Sequence, residues 1–90
     1  MSTVRIPPVL RAQVGDVKQV EAAGETVGQV ITQLVDRHPG LREQLFTGDG
    51  KLNRFVNVYL NGQDVRYLQE LETPVSERDT LVLLPAMAGG

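Results

Sequence analysis

"TVGQVITQLVDRHPG", residues 26–40, reads as one capped, one-sided helix, and no other stretch of the chain carries that period so clearly. Thr26 and Gln29 fit a capping box, in which a hydroxyl and an amide satisfy backbone donors left unpaired at a helix start. Behind the cap, Val27, Val30, Ile31, Leu34 and Val35 recur at helical spacing and fall on one face. Pro39 cannot continue the ladder, and Gly40 is expected to take a left-handed turn that closes the helix. A single apolar stripe needs one apolar surface to cover, so the flanking segments decide the rest.

Toward the N-terminus, "TVRI" (3–6) and "VKQVEA" (17–22) are expected strands, paired as a hairpin across the loop "PVLRAQVGD". Pro7 and Pro8 stop the first strand, because proline lacks a backbone donor, and Gly24 ends the second. Toward the C-terminus, "LREQLF" (41–46) offers one short helical turn, followed by the loop "TGDGKLN". "RFVNVYL" (54–60) alternates as a strand, and Asn61-Gly62 is the preferred type I′ hairpin dipeptide, with a return strand near 63–67. "LQELETPVSERD" is a long polar connection with one helical turn, and "TLVLLPA" (80–86) is the last strand. The order β-β-α-β-β-β is that of an α+β, ubiquitin-like β-grasp domain, with one main helix packed on one face of a mixed sheet of four to five strands. The long connection lets the last strand return beside the first, in parallel, at the centre of the sheet. Residues 1–85 are expected to form this domain and 86–90 an extended, flexible C-terminal tail.

Ninety residues suffice for one domain with one core. Two Phe, two Tyr and no Trp leave that core to Val, Leu and Ile. A net charge of −2 with nine scattered cations argues against a nucleic-acid stripe or a polybasic membrane patch. No apolar run approaches a membrane span and no signal-peptide pattern opens the chain, so a cytoplasmic protein is expected. Cysteine is absent, which removes disulfides, thiolate metal sites and thiol nucleophiles together.

Strand alternation assigns the faces. Val56, Val58 and Leu60, with Leu81 and Leu83, are expected to face the helix. If the two strands are neighbours, Phe55, Tyr59, Val82 and Leu84 share the uncovered face, an apolar patch that reads as a partner surface. Elsewhere the chain offers little chemistry. His38 is the sole histidine and sits at a helix C-terminus, a structural place, so no histidine metal cluster or Ser-His-Asp set can be assembled. "TGDGKL" misses the phosphate-loop spacing and is a turn; Asp49 alone is no calcium loop. Glu70, Glu72, Glu77 and Asp79 read as a solvated connection. No catalytic residue and no metal ligand is assigned.

That leaves Gly89-Gly90, which follow the last core strand through a stiffening proline. A glycine pair ends about 0.5% of chains at a usage of roughly 7%, so its placement argues more than its presence. Without Cβ atoms, such an end can enter a narrow channel in another protein and present its carboxylate there. A carboxylate is a poor electrophile and needs activation, most simply adenylation with ATP, by groups a partner must supply.

With "LVLLPAMAGG" and "RFVNVYLNGQDVR" on the page, the chain resembles the ThiS/MoaD family of sulfur-carrier proteins, β-grasp relatives of ubiquitin, over its whole length. "KLNRFVN" and "RIPPVLR" are most similar to its cysteine-pathway branch, the CysO-type carriers of actinobacteria; Met87 stands where many relatives have Val. The resemblance implies a stoichiometric carrier and not an enzyme, with no bound cofactor. An E1-like adenylyltransferase, using ATP, activates Gly90, and sulfide or a persulfide donor converts it to a thiocarboxylate. Ala86, Met87, Ala88 and Gly89 thread that partner's active site. In the cysteine branch a pyridoxal-phosphate (PLP) cysteine synthase accepts the sulfur and a zinc metalloprotease cuts the adduct; other branches serve thiosugar, molybdopterin or thiamin assembly. Two further classes stay open: a covalent protein modifier using the same tail, and a binding module with an incidental one.

Overall fold

Helix α1 (Val27–Arg37) lays the stripe of Val27, Val30, Ile31, Leu34 and Val35, all buried, on one face of a five-stranded sheet. In this computed structural model, which describes residues 1–48, 50–53 and 56–85, the strands are β1 (Ser2–Arg5), β2 (Gln19–Ala22), β3 (Val56–Leu60), β4 (Gln63–Asp64) and β5 (Thr80–Pro85). Their spatial order is β2-β1-β5-β3-β4. The last strand sits at the centre, parallel to β1 and antiparallel to β3, as the β-grasp order requires. Val4, Val56, Val58, Leu60, Leu81 and Leu83 meet the helix stripe in one core, and each buried aliphatic contributes roughly 1.5–3 kcal/mol.

The cap forms with a shift. Thr26 Oγ1 accepts from the Gln29 N–H at 3.2 Å, but the Gln29 amide oxygen accepts from Glu25, one residue earlier than a capping box predicts, at 2.9 Å. Gly24 is the close approach here, since a Cβ there would stand 2.6 Å from the Val30 backbone nitrogen. His38 caps the other end, its N–H donating to the Leu34 carbonyl at 2.9 Å.

Gly40 corrects the expectation of a left-handed turn. It lies in a 3₁₀ turn, Pro39–Leu41, that runs straight into α2 (Arg42–Leu45), and its φ is not positive. An added Cβ there would meet only the far end of the Gln13 side chain, which can swing aside, so neither space nor dihedral freedom demands glycine at this position. The loop read between the first two strands is in fact a 3₁₀ helix, Pro8–Val14, started by prolines whose φ suits it and anchored by buried Leu10 and Val14. β1 and β2 are accordingly offset or shorter than expected, and Lys18 pairs only through its carbonyl with the Ile6 N–H, at 2.9 Å. The return strand stops at Asp64, because Asp64 Oδ1 accepts from the Arg66 N–H at 2.9 Å and turns the chain into a 3₁₀ helix, Val65–Tyr67. The 3₁₀ turn Glu70–Glu72 is the one expected in the polar connection. "TGDGKL" is a turn pinned by a Phe46–Leu52 bridge, and Asp49 lies outside the described residues. Ala86, expected in the last strand, and Arg54 and Phe55, expected in the third, lie outside them too.

Both open edges of the sheet carry side-chain donors or acceptors. The Ile6–Lys18 bond sets the phase of β2, so the Glu21 carbonyl points away from β1; there it accepts from the Arg37 guanidinium. Next along that edge, the Ala23 N–H donates to the Gln33 side chain. At the opposite edge the two residues of β4 leave the start of β3 uncovered. The Arg66 guanidinium crosses there, donating to the carbonyls of Val56 at 3.0 Å and Asn53 at 3.3 Å and to Asn57 Oδ1.

The register of β5 is fixed at its start. Asn61, at φ 50° in the hairpin turn with Gly62 at φ 90°, exchanges bonds with Thr80: its N–H donates to the Thr80 carbonyl and its Oδ1 accepts the Thr80 N–H, both at 3.0 Å. Asn61 Nδ2 also donates to Asp79 Oδ1 at 2.9 Å, and the Ser76 N–H donates to Asp79 Oδ2 at 2.8 Å. The Asn61 bond first, and then those from Ser76, hold the Asp79 carboxyl below its ordinary value of 3.8. A carboxyl with a depressed folded pKa stabilises the fold above the ordinary pKa, and that contribution is lost as pH falls through the folded one. Asp79→Asn is therefore expected to unfold at lower urea than wild type near about pH 7, with the two midpoints converging as pH falls below the ordinary carboxyl value of 3.8.

Candidate functional site

Because β5 lies between β1 and β3, its outward side chains stand at the middle of the face that α1 does not cover. Val82 is opposite Tyr59 on β3 and Arg5 on β1, and Tyr59 is in turn opposite Asp64. One row across the sheet thus reads Arg5, Val82, Tyr59, Asp64. The next row toward the end of β5 places Leu84 opposite Asn57. Val82 and Tyr59 are half-buried by their neighbours, whereas Leu84 is 42% exposed. Leu81 and Leu83, the alternate pair, are fully buried.

Three of the four residues read as a surface patch, Tyr59, Val82 and Leu84, therefore stand side by side. Phe55 and the tail residues Ala86, Met87, Ala88, Gly89 and Gly90 lie outside the described residues. Pro85, the last residue of β5, is opposite Val56, so the chain leaves the sheet at the end where Leu84 stands. Alternation did not single out Arg5 or Arg66 on this face, whereas Asn57 falls in the outward set with Tyr59. Arg5 could have been found from the parallel register of β1 and β5, which the sequence does not print. Arg66 had no signal, because the chain turns out of the strand just before it.

Chemistry within the chain is sparse. His38 is half-buried at the α1 terminus, a strand or more from the strip. Among the described residues no group of three or more His, Cys, Asp or Glu side chains could hold a metal ion. A groove of about 1030 Å³ runs along the polar side of α1 past Phe46 and Leu71. It contains Asp36 and Arg42, an exposed pair 3.8 Å apart, but no nucleophile beside a base. No helix of the described residues is long and apolar enough to cross a membrane. What the uncovered face presents is a short apolar strip, Tyr59, Val82 and Leu84, on the neighbouring strands β3 and β5.

The ThiS family pattern matches residues 4–90. The sulfur carrier protein CysO of Mycobacterium tuberculosis is 44% identical, over 98% of this chain and 97% of that one; its crystal structure superposes with a TM-score of 0.90. CysO in the crystal structure of the Amycolatopsis orientalis BexX/CysO complex matches with a TM-score of 0.91 at 47% identity, covering 100% of both chains. The small archaeal modifier protein 1 of Methanosarcina acetivorans has a TM-score of 0.85 at 28% identity, covering 99% of this chain and 95% of that one.

The two faces of β5 make opposite demands on substitution. Leu84→Asp is expected to shift stability by no more than about 0.5 kcal/mol, whereas Leu83→Asp buries an unpaired carboxylate and is expected to prevent folding. Urea midpoints and far-UV circular dichroism of the two variants check the assignment.

Proposed function

The chain belongs to the ThiS family and is a sulfur carrier of the CysO type, a stoichiometric donor and not a catalyst, and from that premise we propose that the carboxylate of Gly90 is the group that bears the sulfur. The observation that supports this most directly is a full-length match that runs through residue 90. The chemistry follows from what a carboxylate lacks. Its oxygen attacks the α-phosphorus of ATP on an E1-like adenylyltransferase, pyrophosphate leaves, and the acyl-adenylate becomes an electrophile. Sulfide then attacks the carbonyl carbon and expels AMP, leaving a thiocarboxylate. A persulfide attacking in its place expels AMP to leave an acyl disulfide, from which a thiol of the sulfur donor releases the thiocarboxylate by forming a disulfide with the donor sulfur.

Each part of the chain has a place in this reading. Phe55, Tyr59, Val82 and Leu84 dock the activating enzyme, so that chain exit and partner channel are aligned. Ala86, Met87, Ala88 and Gly89 thread the channel, and the two terminal glycines let the reacting carbonyl reach its position without a side chain in the way. With no cysteine in the sequence, no thiol of the carrier competes for the activated end. The sulfur passes to a PLP-dependent cysteine synthase, with a zinc metalloprotease releasing the product; a thiosugar synthase is the alternative acceptor. ATP belongs to the partner and not to this chain. The working place is the cytoplasm.

A second reading has its own support in the likeness to a small archaeal modifier protein. There the same activated glycine is attacked by a lysine amine and forms an isopeptide bond. The two readings differ in mass: a carrier gains sulfur in place of oxygen, while a modifier leaves a glycine remnant on other proteins.

Incubation with the cognate E1-like enzyme, ATP and sulfide is expected to exchange one oxygen for sulfur at the C-terminal peptide, read by intact mass spectrometry. Deleting Gly90 is expected to abolish that exchange, since the carboxylate of Gly89 stops one residue short, while the circular dichroism spectrum stays that of wild type. A deletion that is sulfurylated normally excludes Gly90 as the bearing group.

A further inference from the structure

Two cations flank the apolar strip. Arg5 is exposed on β1 directly beside Val82. Arg66 lies on the other side, its guanidinium held by three oxygens, those of Val56, Asn53 and the Asn57 side chain. All three acceptors are neutral. Among the described residues neither arginine has a carboxylate within ion-pair distance; the Arg42–Asp36 contact lies on the helix side. Asp64 is the nearest acid on the strip's row, and its Oδ1 accepts the Arg66 backbone N–H, not the guanidinium. Toward the start of β5 the character changes: the outward positions are Thr80, Thr3 and Glu21, with Asp79 at the turn. The protein carries a net charge of −2, yet the half of this face nearest the chain exit is basic.

The fixing of Arg66 is the informative part. An exposed arginine loses side-chain entropy when it is held in one place, and on a surface that ordering needs a return. Bonds to neutral oxygens fix the position of the guanidinium without cancelling its charge. Strands stand about 4.8 Å apart, so β1 and β3 put Arg5 and Arg66 on either side of a strip roughly 10 Å wide. A carboxylate on an approaching surface finds such a cation already oriented, and Arg–carboxylate pairs form paired, directional bonds. Charges at the rim of an apolar patch govern encounter and register more than final tightness.

We propose that the strip docks a surface of the activating enzyme whose apolar centre is bordered by carboxylates, and that Arg5 and Arg66 select it. This rests on the docking role assigned above to Tyr59, Val82 and Leu84. Acidic borders on the partner then set which way round the domain lands, and so which end of β5 faces the channel.

The test is the binding of fluorescein-labelled carrier to the purified cognate E1-like enzyme, by anisotropy, from about 50 to about 400 mM NaCl. Wild-type affinity is expected to fall with salt. Arg5→Glu is expected to weaken binding about tenfold or more at the lowest salt and to flatten the salt dependence, and Arg66→Gln to do the same to a smaller extent. Arg42→Glu, on the helix side, is expected to bind as wild type, and thermal melts confirm that each variant folds. If Arg5→Glu and Arg66→Gln bind with wild-type affinity and salt slope while Leu84→Asp does not bind, the docking face stands and the acidic border is excluded. If Leu84→Asp also binds normally, the docking role itself fails and the inference falls with it.

Discussion

Everything in this molecule depends on a strand that arrives last and is placed in the middle. β5 pairs with both β1 and β3, so the two halves of the chain on either side of the helix are joined only when it inserts. A shift of one residue would turn Leu81 and Leu83 outward and bury Val82 and Leu84 in their place, with the polar Thr80 and the exit Pro85 displaced as well. The apolar pattern alone penalises that slip weakly, because both faces of β5 are aliphatic. The side chain of Asn61 supplies what the pattern lacks. By bonding both the backbone of Thr80 and the carboxylate of Asp79, it ties a hairpin turn built elsewhere to the first residue of the central strand.

Much of this was legible in the residues. Period and cap gave the helix, Asn61-Gly62 gave the hairpin, and the length of the 68–79 connection allowed the parallel return. The faces followed from alternation alone, and Leu83 and Leu84 fall on opposite sides as expected. What the sequence hid was local competition. Pro39-Gly40 looked like a stop because glycine is the usual left-handed cap, yet the backbone found a second helical turn there. Asp64 ended a strand that Val65 and Tyr67 would have extended, because a short acid bonding two residues ahead outweighs strand propensity. Arg66 entered the face only through that turn, and no pattern of period two could have placed it.

On the proposed reading, reactivity at Gly90 separates two requirements that enzymes must meet together. Folding needs buried, well-packed side chains, and these occupy one side of the sheet and one stripe of α1. The other side, where half-buried Val82 and Tyr59 are supported by strand neighbours, is the one proposed for docking. No buried charged group or unpaired side chain has been accommodated for catalysis: among the described residues no buried side-chain polar atom lacks a hydrogen-bond partner.

A sheet that is not closed into a barrel leaves two rims of backbone donors and acceptors, and each rim is a template on which another extended chain can crystallise. Here the rims are occupied from within. Gln33 and Arg37, one helical turn apart on α1, take up the outward amide of Ala23 and the outward carbonyl of Glu21, and Arg66 takes that of Val56. An arriving strand would have to displace a guanidinium before making its first bond. On the proposed reading the chain end is offered to other proteins, while these occupied rims leave the domain poorly suited to accept a strand on its own edges.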